Sequence, residues 1–347
     1  MRRELTNLAR RGKMDGMRRT LLFLLALGLL ASSCSSDGGG AGPTGPTTPT
    51  GSTDATGATG TGAGMVAIVA SVDLYVGTPQ RVAFGLVLPD GRLVSFGEID
   101  VDLTYLGTAE APAEAPGPTA SAAFIPTYGT PAGTGGARVT SPDEARGVYE
   151  ATGVVFDEPG FYDATVTVDV EGLGPQVAKT TLQVLEEPQL PAPGDPALPT
   201  ENLTLDSKGV PEAAIDSRFT TEGKIPDPEL HDTTIAAAVR EGRPVLAVFA
   251  TPVYCVSQFC GPVTDMIADL AADYGDSAEF VHVEIWEDFD TQTLNEAATE
   301  WLQLPSGDLT EPWLFLIGAD VTIVDRWSSL WSQAEVEAAL EALPTGN

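Results

Sequence analysis

The spacing of apolar residues changes near residue 231, and this change constrains the fold more than any other feature of the sequence. Residues 65–186 contain short runs in which apolar and polar side chains alternate, for example over residues 99–105 and 164–170. Alternation is typical of strands with one buried face, so we expect this part of the chain to be all-β. After residue 231, apolar runs alternate with helical patterns, which indicates a second domain of α/β class.

The all-β part, residues 65–186, is expected to form six or seven short strands. That many strands without a helical period predict an immunoglobulin-like β-sandwich. Residues 108–145 are rich in Ala, Pro, Gly and Thr and are interpreted as a long loop. No catalytic side chains cluster here, which favours a spacer or docking module. Residues 187–230 follow as a Pro-rich hinge and lead-in.

The sequence of the α/β part, residues 231–347, predicts an order of strands and helices. Buried strands are expected over residues 244–250, 279–286, 313–317 and 321–327, and helices over residues 233–241, 261–274, 291–302 and 332–343. Asp232 is the expected N-cap of the first helix and Ser332 that of the last. The predicted order is therefore α-β-α-β-α-β-β-α.

The N-terminus carries an expected export signal and lipid anchor. Residues 21–31 are an apolar run preceded by basic residues. Because a membrane span needs roughly 20 apolar residues, this shorter run indicates a signal peptide. The sequence ASSC ending at Cys34 resembles the lipobox of bacterial lipoproteins, although Leu30 stands four residues before Cys34 instead of three. The resemblance implies a signal over residues 1–34, a lipidated Cys34 and a place on the extracytoplasmic face of the cell membrane. The alternatives are a secretory signal with an unrelated Cys34, or an uncleaved anchor.

Residues 35–64 consist largely of Gly, Thr, Ser and Pro. Such a segment buries too little apolar surface to offset its chain entropy. We therefore expect a flexible tether between the anchor and the folded part.

The charge of the chain limits its partners. There are 18 basic and 49 acidic residues, giving a formal net charge of −31. Nucleic acid requires a basic surface, so it is excluded as a partner. Docking onto anionic lipid by charge is excluded for the same reason, and membrane attachment is expected only through the lipid at Cys34.

Two cysteines, Cys255 and Cys260, follow the first apolar strand of the α/β part. Cys260 begins a Cys-Gly-Pro sequence, and Pro312 stands directly before the third strand. With the order of elements, these features make residues 231–345 similar to the thioredoxin-like family. The resemblance implies a thioredoxin-like fold, thiol–disulfide exchange, and a cis Pro312 facing the cysteines. The sequence departs from the family at Val263, which stands where the second Cys of Cys-Gly-Pro-Cys would be.

The departure leaves two assignments for the cysteines. Matching Cys-Gly-Pro makes Cys260 the nucleophile, whereas counting from the strand makes Cys255 the nucleophile and Cys260 the resolving thiol. We favour the second, because an attacking thiolate needs access and the tip of a strand is the more exposed position. Pro312 would hold an extended substrate. The expected partners are thiols or disulfides of exported proteins.

Other interpretations of the pair remain open. A structural disulfide in a non-catalytic binding module would contribute roughly 2 kcal/mol in the chain-entropy model. The run from Thr251 to Cys255 is loosely similar to the segment before a peroxidatic Cys, with a spacing that differs by one residue. A copper site would need a His beside both thiols, but His282 lies within an apolar strand and is expected in the core. A zinc site would have too few ligands. We therefore predict neither a metal ion nor a cofactor.

Overall fold

The structure is a computed structural model, and it describes residues 64–131 and 133–344. The expected signal, Cys34 and residues 35–63 of the expected tether lie outside the described residues. Among the helices that are described, none has the length and apolarity that crossing a membrane requires.

The first part of the described chain forms one nine-stranded sheet in which every pairing is antiparallel. Its strands are β1 (Val66–Val69), β2 (Gln80–Val87), β3 (Leu93–Ser95), β4 (Glu98–Gly107), β5 (Pro112–Pro126), β6 (Arg138–Thr140), β7 (Gly147–Val154), β8 (Gly160–Val170) and β9 (Gly174–Val184). They lie in the order β6-β3-β2-β7-β5-β4-β8-β9, with β1 paired to β2.

Alternating side chains build this sheet as the sequence predicts. In β8 every second side chain, from Tyr162 to Val170, is buried, and the side chains between them are more exposed. Because successive residues of a strand point to opposite faces, one face of β8 joins the core. The core also receives Phe84 and Tyr149 from the neighbouring strands β2 and β7.

The prediction of a long loop over residues 108–145 is wrong. That segment contains β5 and the short strand β6. Most side chains of β5 are exposed, so the strand shows little apolar alternation. It is held instead by its backbone, which pairs with β4 on one side and with β7 on the other.

A four-stranded sheet follows the nine-stranded one along the chain. Its strands are β10 (Val245–Ala250), β11 (Glu279–Glu284), β14 (Trp313–Ile317) and β15 (Ile323–Ser328), in the order β11-β10-β14-β15. The β10–β11 pair is parallel and the other two pairs are antiparallel. A separate hairpin joins β12 (Trp286–Asp288) to β13 (Thr293–Leu294).

Five α-helices accompany the four-stranded sheet: α1 (Phe219–Glu222), α2 (Ile235–Arg240), α3 (Cys260–Tyr274), α4 (Glu296–Leu302) and α5 (Gln333–Glu341). Apolar side chains of α3 and α5 share one core with one face of the sheet, and those of α2 and α4 share another core with the opposite face. Helix α2 begins after Thr234, whose side chain accepts the Ala237 N–H, so Asp232 is not its cap. Helix α4 begins later than predicted because the hairpin β12–β13 precedes it, and Asn295 caps it.

The predicted fold class, an immunoglobulin-like sandwich followed by a thioredoxin-like α/β domain, is wrong. The described chain is mostly β, with 39% strand and 17% helix and with large antiparallel sheets. All strands of the first part belong to one hydrogen-bonded sheet. The later part is not a parallel α/β layer, because one of its three strand pairings is parallel and four of its five helices have nine or fewer residues.

The two sheets also share a core. Ala83 and Val148 of the nine-stranded sheet pack with Cys260, Leu314 and Trp331 of the later part. All the described residues belong to one compact unit. The cysteines therefore lie where the two parts of the chain meet.

Candidate functional site

Cys255 and Cys260 form a disulfide at the end of the central strand β10. The chain leaves β10 at Ala250, reaches Cys255 through a short turn, and enters α3 at Cys260. The two Cα atoms are 5.9 Å apart, within the usual range for a disulfide. The expectation that these two thiols come together is confirmed.

The surroundings of the two sulfur atoms differ. Cys255 keeps 9% of its surface exposed, whereas Cys260 is fully buried. The Cys260 backbone N–H lies 3.4 Å from Cys255 Sγ and donates to it, and Ser257 Oγ lies 3.2 Å away. Donors at a helix N-terminus favour a thiolate over a thiol. Cys255 is thus the more accessible sulfur and the one with donors for a negative charge.

Pro312 lies beside the turn that bears the cysteines. The Glu311–Pro312 peptide bond is cis, as predicted. Pro312 is buried, and its carbonyl accepts the Ser329 N–H at 2.9 Å. Since this carbonyl already has a partner, the role of Pro312 in holding a substrate stays a prediction.

The carboxylate of Glu311 is a group that the sequence did not identify. One of its oxygens and both cysteine sulfurs lie within 4.8 Å of one another. Glu311 Oε2 accepts the Thr251 N–H at 3.1 Å, which fixes the carboxylate against the start of the turn. Burial, with a contribution from the charge of Glu284, raises the pKa of Glu311 to about 8. A carboxyl group with this pKa can accept and return a proton near neutral pH.

The nine-stranded sheet contacts the loop between the cysteines. Arg146, just before β7, donates to Ser257 O at 3.4 Å and also to Gln258 Oε1. Gln258 has a φ of 61°, in the left-handed region that non-glycine residues seldom adopt. The Arg146 contacts therefore hold the loop at a residue whose backbone conformation is uncommon.

The residues on either side of Cys255, Tyr254 and Val256, are aromatic and apolar. Val256 is 96% exposed. Tyr254 stacks on Phe289 with ring centroids 3.9 Å apart, and Trp286 meets the same ring edge-on. An apolar surface next to a reactive sulfur suits contact with an unfolded or extended polypeptide.

A second cluster of ionisable groups lies near the other end of the turn. Asp216, His231 and His282 are fully buried, and each offers a ligand atom within 4.8 Å of the others. His282 is a core residue, as predicted, but it is in contact with charged groups. This cluster could not be predicted from the sequence, because its members come from three separate segments and match no metal-binding spacing.

Burial and the neighbouring charged groups shift the pKa values of all three members of this cluster. Burial acts to raise the pKa of Asp216, but His231, His282 and Arg218 outweigh it and hold the pKa far below its usual range. Burial lowers the pKa of His231. Burial also acts to lower the pKa of His282, but the contact with Asp216 outweighs it and raises the pKa. Nδ1 of His231 and Nδ1 of His282 have no hydrogen-bond partner among the described residues.

Comparisons of the chain with models of protein families, with curated proteins and with solved structures found no match. The chemistry of the site therefore has to be inferred from its own atoms. A strand-end cysteine with thiolate-stabilising donors, a buried partner cysteine and a carboxyl group of raised pKa are the components that thiol–disulfide exchange requires.

Proposed function

We propose that this protein exchanges thiols and disulfides with exported proteins through Cys255 and Cys260. The observation that carries the proposal is the asymmetry of the pair. Cys255 is partly accessible and accepts a hydrogen bond from the first N–H of α3, whereas Cys260 is buried next to Glu311. This asymmetry gives the attacking and the resolving thiol different surroundings.

The exchange proceeds in two balanced displacements. In the reduced protein the Cys255 thiolate attacks one sulfur of a substrate disulfide, and the other substrate sulfur leaves with the electron pair of the broken bond. Cys260 then attacks Cys255 Sγ in the mixed disulfide and releases the second substrate thiol. Two electrons pass to the substrate, and the Cys255–Cys260 disulfide forms. The reverse sequence oxidises a substrate dithiol.

Glu311 moves the proton of the buried cysteine. The Cys260 thiol must lose its proton before it attacks, and bulk water does not reach a fully buried sulfur. The Glu311 carboxylate lies within 4.8 Å of that sulfur and takes the proton. In the reverse direction the carboxylic acid returns the proton to the Cys260 thiolate as it leaves.

A structural disulfide in a non-catalytic binding module is the competing function. The full burial of Cys260 and the membership of both cysteines in an apolar core favour it. The two functions differ in the reduction potential of the pair. A structural disulfide has a potential below about −300 mV, whereas an exchanging pair is more oxidising.

The deciding experiment measures both the potential and turnover. The potential is obtained by equilibrating the protein in thiol–disulfide buffers, and turnover by following the dithiol-driven reduction of insulin. We expect a potential above about −300 mV and a reductase activity that Cys255→Ser abolishes. A lower potential with no insulin reduction would leave the pair as a structural bridge.

The Glu311 step has its own test. At pH 7 we expect Glu311→Gln to slow turnover about 100-fold, the lower end of what general acid–base groups contribute. The matched control is Glu150→Gln, since Glu150 is a buried carboxyl group whose pKa is likewise raised to about 8 by burial, but in the nine-stranded sheet. Equal rates in the two variants would remove Glu311 from the mechanism without affecting the role of the cysteines.

The location of the protein is a separate part of the proposal. We propose attachment to the outer side of the cell membrane through lipid on Cys34, because the sequence before Cys34 resembles a lipoprotein signal. Cys34→Ser should move the protein from the membrane fraction to the soluble fraction. Unchanged membrane association would exclude lipidation as the anchor.

A further inference from the structure

Three buried side chains from separate segments converge beside the end of β10. Asp216 follows a 3-10 turn at Glu212–Ala214, His231 follows a second one at Pro228–Leu230, and His282 lies in β11. All three are almost completely shielded from solvent. Two imidazoles and one carboxylate meeting in the interior form a ligand set that transition metals accept.

The distances within the cluster match those between ligands of one metal ion. Asp216 Oδ2 lies 3.3 Å from His231 Nε2 and 3.4 Å from His282 Nδ1. Zinc binds nitrogen and oxygen at about 2.0–2.1 Å, and the edge of a tetrahedron with such bonds is about 3.3–3.4 Å long. These two distances therefore match those between ligands of one metal ion, and the third pair of ligand atoms lies within 4.8 Å.

The outer contacts of the cluster favour ligation. His282 Nε2 donates to the Ala250 carbonyl at 3.0 Å, which leaves Nδ1 as the nitrogen that faces Asp216. A metal-binding histidine commonly donates its second ring N–H to a backbone carbonyl in this way. Among the described residues, the polar atom that faces the buried His282 Nδ1 is Asp216 Oδ2, at 3.4 Å, and the two make no well-formed hydrogen bond. This nitrogen is available as a ligand.

The local charge accommodates a divalent cation. Arg218 contributes one positive charge next to Asp216, but it is also paired with Asp227 and Asp265. Counting these groups, three carboxylates face one guanidinium, so the surroundings stay net negative even when His282 carries a proton. A divalent ion would neutralise this excess instead of adding to a positive charge.

We propose that Asp216, His231 and His282 bind a divalent transition metal ion of the zinc class through Asp216 Oδ2, His231 Nε2 and His282 Nδ1. The ion joins the segment before α2, which carries Asp216 and His231, to β11 of the four-stranded sheet. Through the His282–Ala250 hydrogen bond it also supports the start of the cysteine turn. The site is independent of the exchange proposed for the cysteines.

The test uses the full chain with Cys34→Ser and with the Cys255–Cys260 pair oxidised, so that no thiol can bind metal. Co²⁺ is titrated first and is then displaced with Zn²⁺. We expect one equivalent of Co²⁺ to give visible d–d absorption without a sulfur charge-transfer band, and Zn²⁺ to raise the melting temperature. Absence of stoichiometric binding by this protein would overturn the proposal and would leave Asp216 and His282 as a buried ion pair. This measurement uses the unchanged ligand residues, so its outcome does not depend on whether a variant of Asp216, His231 or His282 folds.

Variants then assign the ligands. His282→Gln and His231→Gln should each weaken Co²⁺ binding by more than the roughly 100-fold that loss of an outer contact costs. Asp73→Asn is the matched control, because Asp73 is also a buried aspartate paired with an arginine, Arg326, but has no histidine beside it. Binding that persists in both histidine variants, or that is lost equally in the control, would contradict the assigned ligands.

Discussion

The two sheets of this protein bury apolar side chains in similar ways but differ in buried charge. Among the described residues of the nine-stranded sheet, Glu150 is the single charged residue that is buried. The described residues of the later part include six buried acidic, basic or histidine side chains: Asp216, Arg218, His231, His282, Glu284 and Arg326. Burying a charge is costly unless it is paired, so such groups persist where neighbouring charges compensate them.

Most of these buried groups lie close together at one end of the four-stranded sheet. His282 and Glu284 lie in β11, and the cysteine turn begins where the adjacent strand β10 ends. Asp216 and Arg218 reach the same region from the segment before α2. Groups with strongly shifted pKa values gather at functional sites, whereas a scaffold satisfies its polar groups locally. The buried charges around Asp216 therefore gather at the end of the four-stranded sheet where the cysteine turn begins.

The largest effect is expected from replacing Arg218, the buried arginine beside Asp216. Arg218→Met keeps much of the side-chain volume but leaves Asp216 buried without its guanidinium partner, whose Nη2 donates to Asp216 Oδ2 at 2.7 Å. Breaking a buried ion pair on one side costs about 3–5 kcal/mol of unfolding free energy. Denaturant unfolding of both proteins measures this difference.

The control for Arg218→Met lies in the turn between β2 and β3. Arg92 also pairs with an aspartate, Asp90, but both side chains are about half exposed. Arg92→Met should leave the denaturation midpoint unchanged, because exposed ion pairs contribute little. Similar losses in the two variants would show that the buried cluster is not held together by charge.

The second effect concerns Glu150, the exception in the larger sheet. Burial raises the pKa of Glu150 to about 8, and Glu150 Oε1 has no hydrogen-bond partner among the described residues. The folded protein therefore keeps a proton that the unfolded chain releases above its ordinary pKa of 4.5. The resulting stability is complete below pH 4.5 and is lost as the pH rises to about 8.

Glu150→Gln removes this pH dependence. Each pH unit within the window costs the wild type about 1.4 kcal/mol, so the variant should gain about 2–3 kcal/mol relative to it between pH 5 and pH 7. Unfolding free energies measured across this range test the sign as well as the size. Parallel curves for the two proteins would mean that Glu150 is already ionised in the folded state.

Local sequence patterns account for part of the fold. Strand β14 has the bounds predicted from its apolar run, and β8 shows the predicted alternation. The disulfide and the cis peptide bond at Pro312 were also expected from the sequence. These features depend on neighbouring residues or on a short motif, which is why the sequence alone indicates them.

Features set by tertiary contacts could not be predicted. Strand β5 is held by backbone pairing with two neighbours, and its small side chains carry no signal of it. The cluster around Asp216 and the turn of the Glu311 carboxylate toward the sulfurs depend on chain packing. The fold class was wrong for a related reason, because the order of elements after residue 231 indicated neither the antiparallel pairing of β10 with β14 nor the shared core.

The smallest effect tests whether the larger sheet influences the chemistry of the smaller one. Arg146 is half-buried and belongs to none of the apolar cores, but it donates to Ser257 O and to Gln258 Oε1 in the loop between the cysteines. Arg146→Ala should free this loop and expose the disulfide more often. Hydrogen bonds of this kind contribute about 1 kcal/mol, so reduction of the Cys255–Cys260 disulfide by a small dithiol should become about fivefold faster.

Arg138→Ala is the control, because Arg138 is an arginine of the nine-stranded sheet that stacks on Phe96 and does not contact the loop. An unchanged reduction rate in Arg146→Ala would show that the larger sheet does not influence the disulfide. An equal acceleration in both variants would show that either substitution destabilises the larger sheet as a whole.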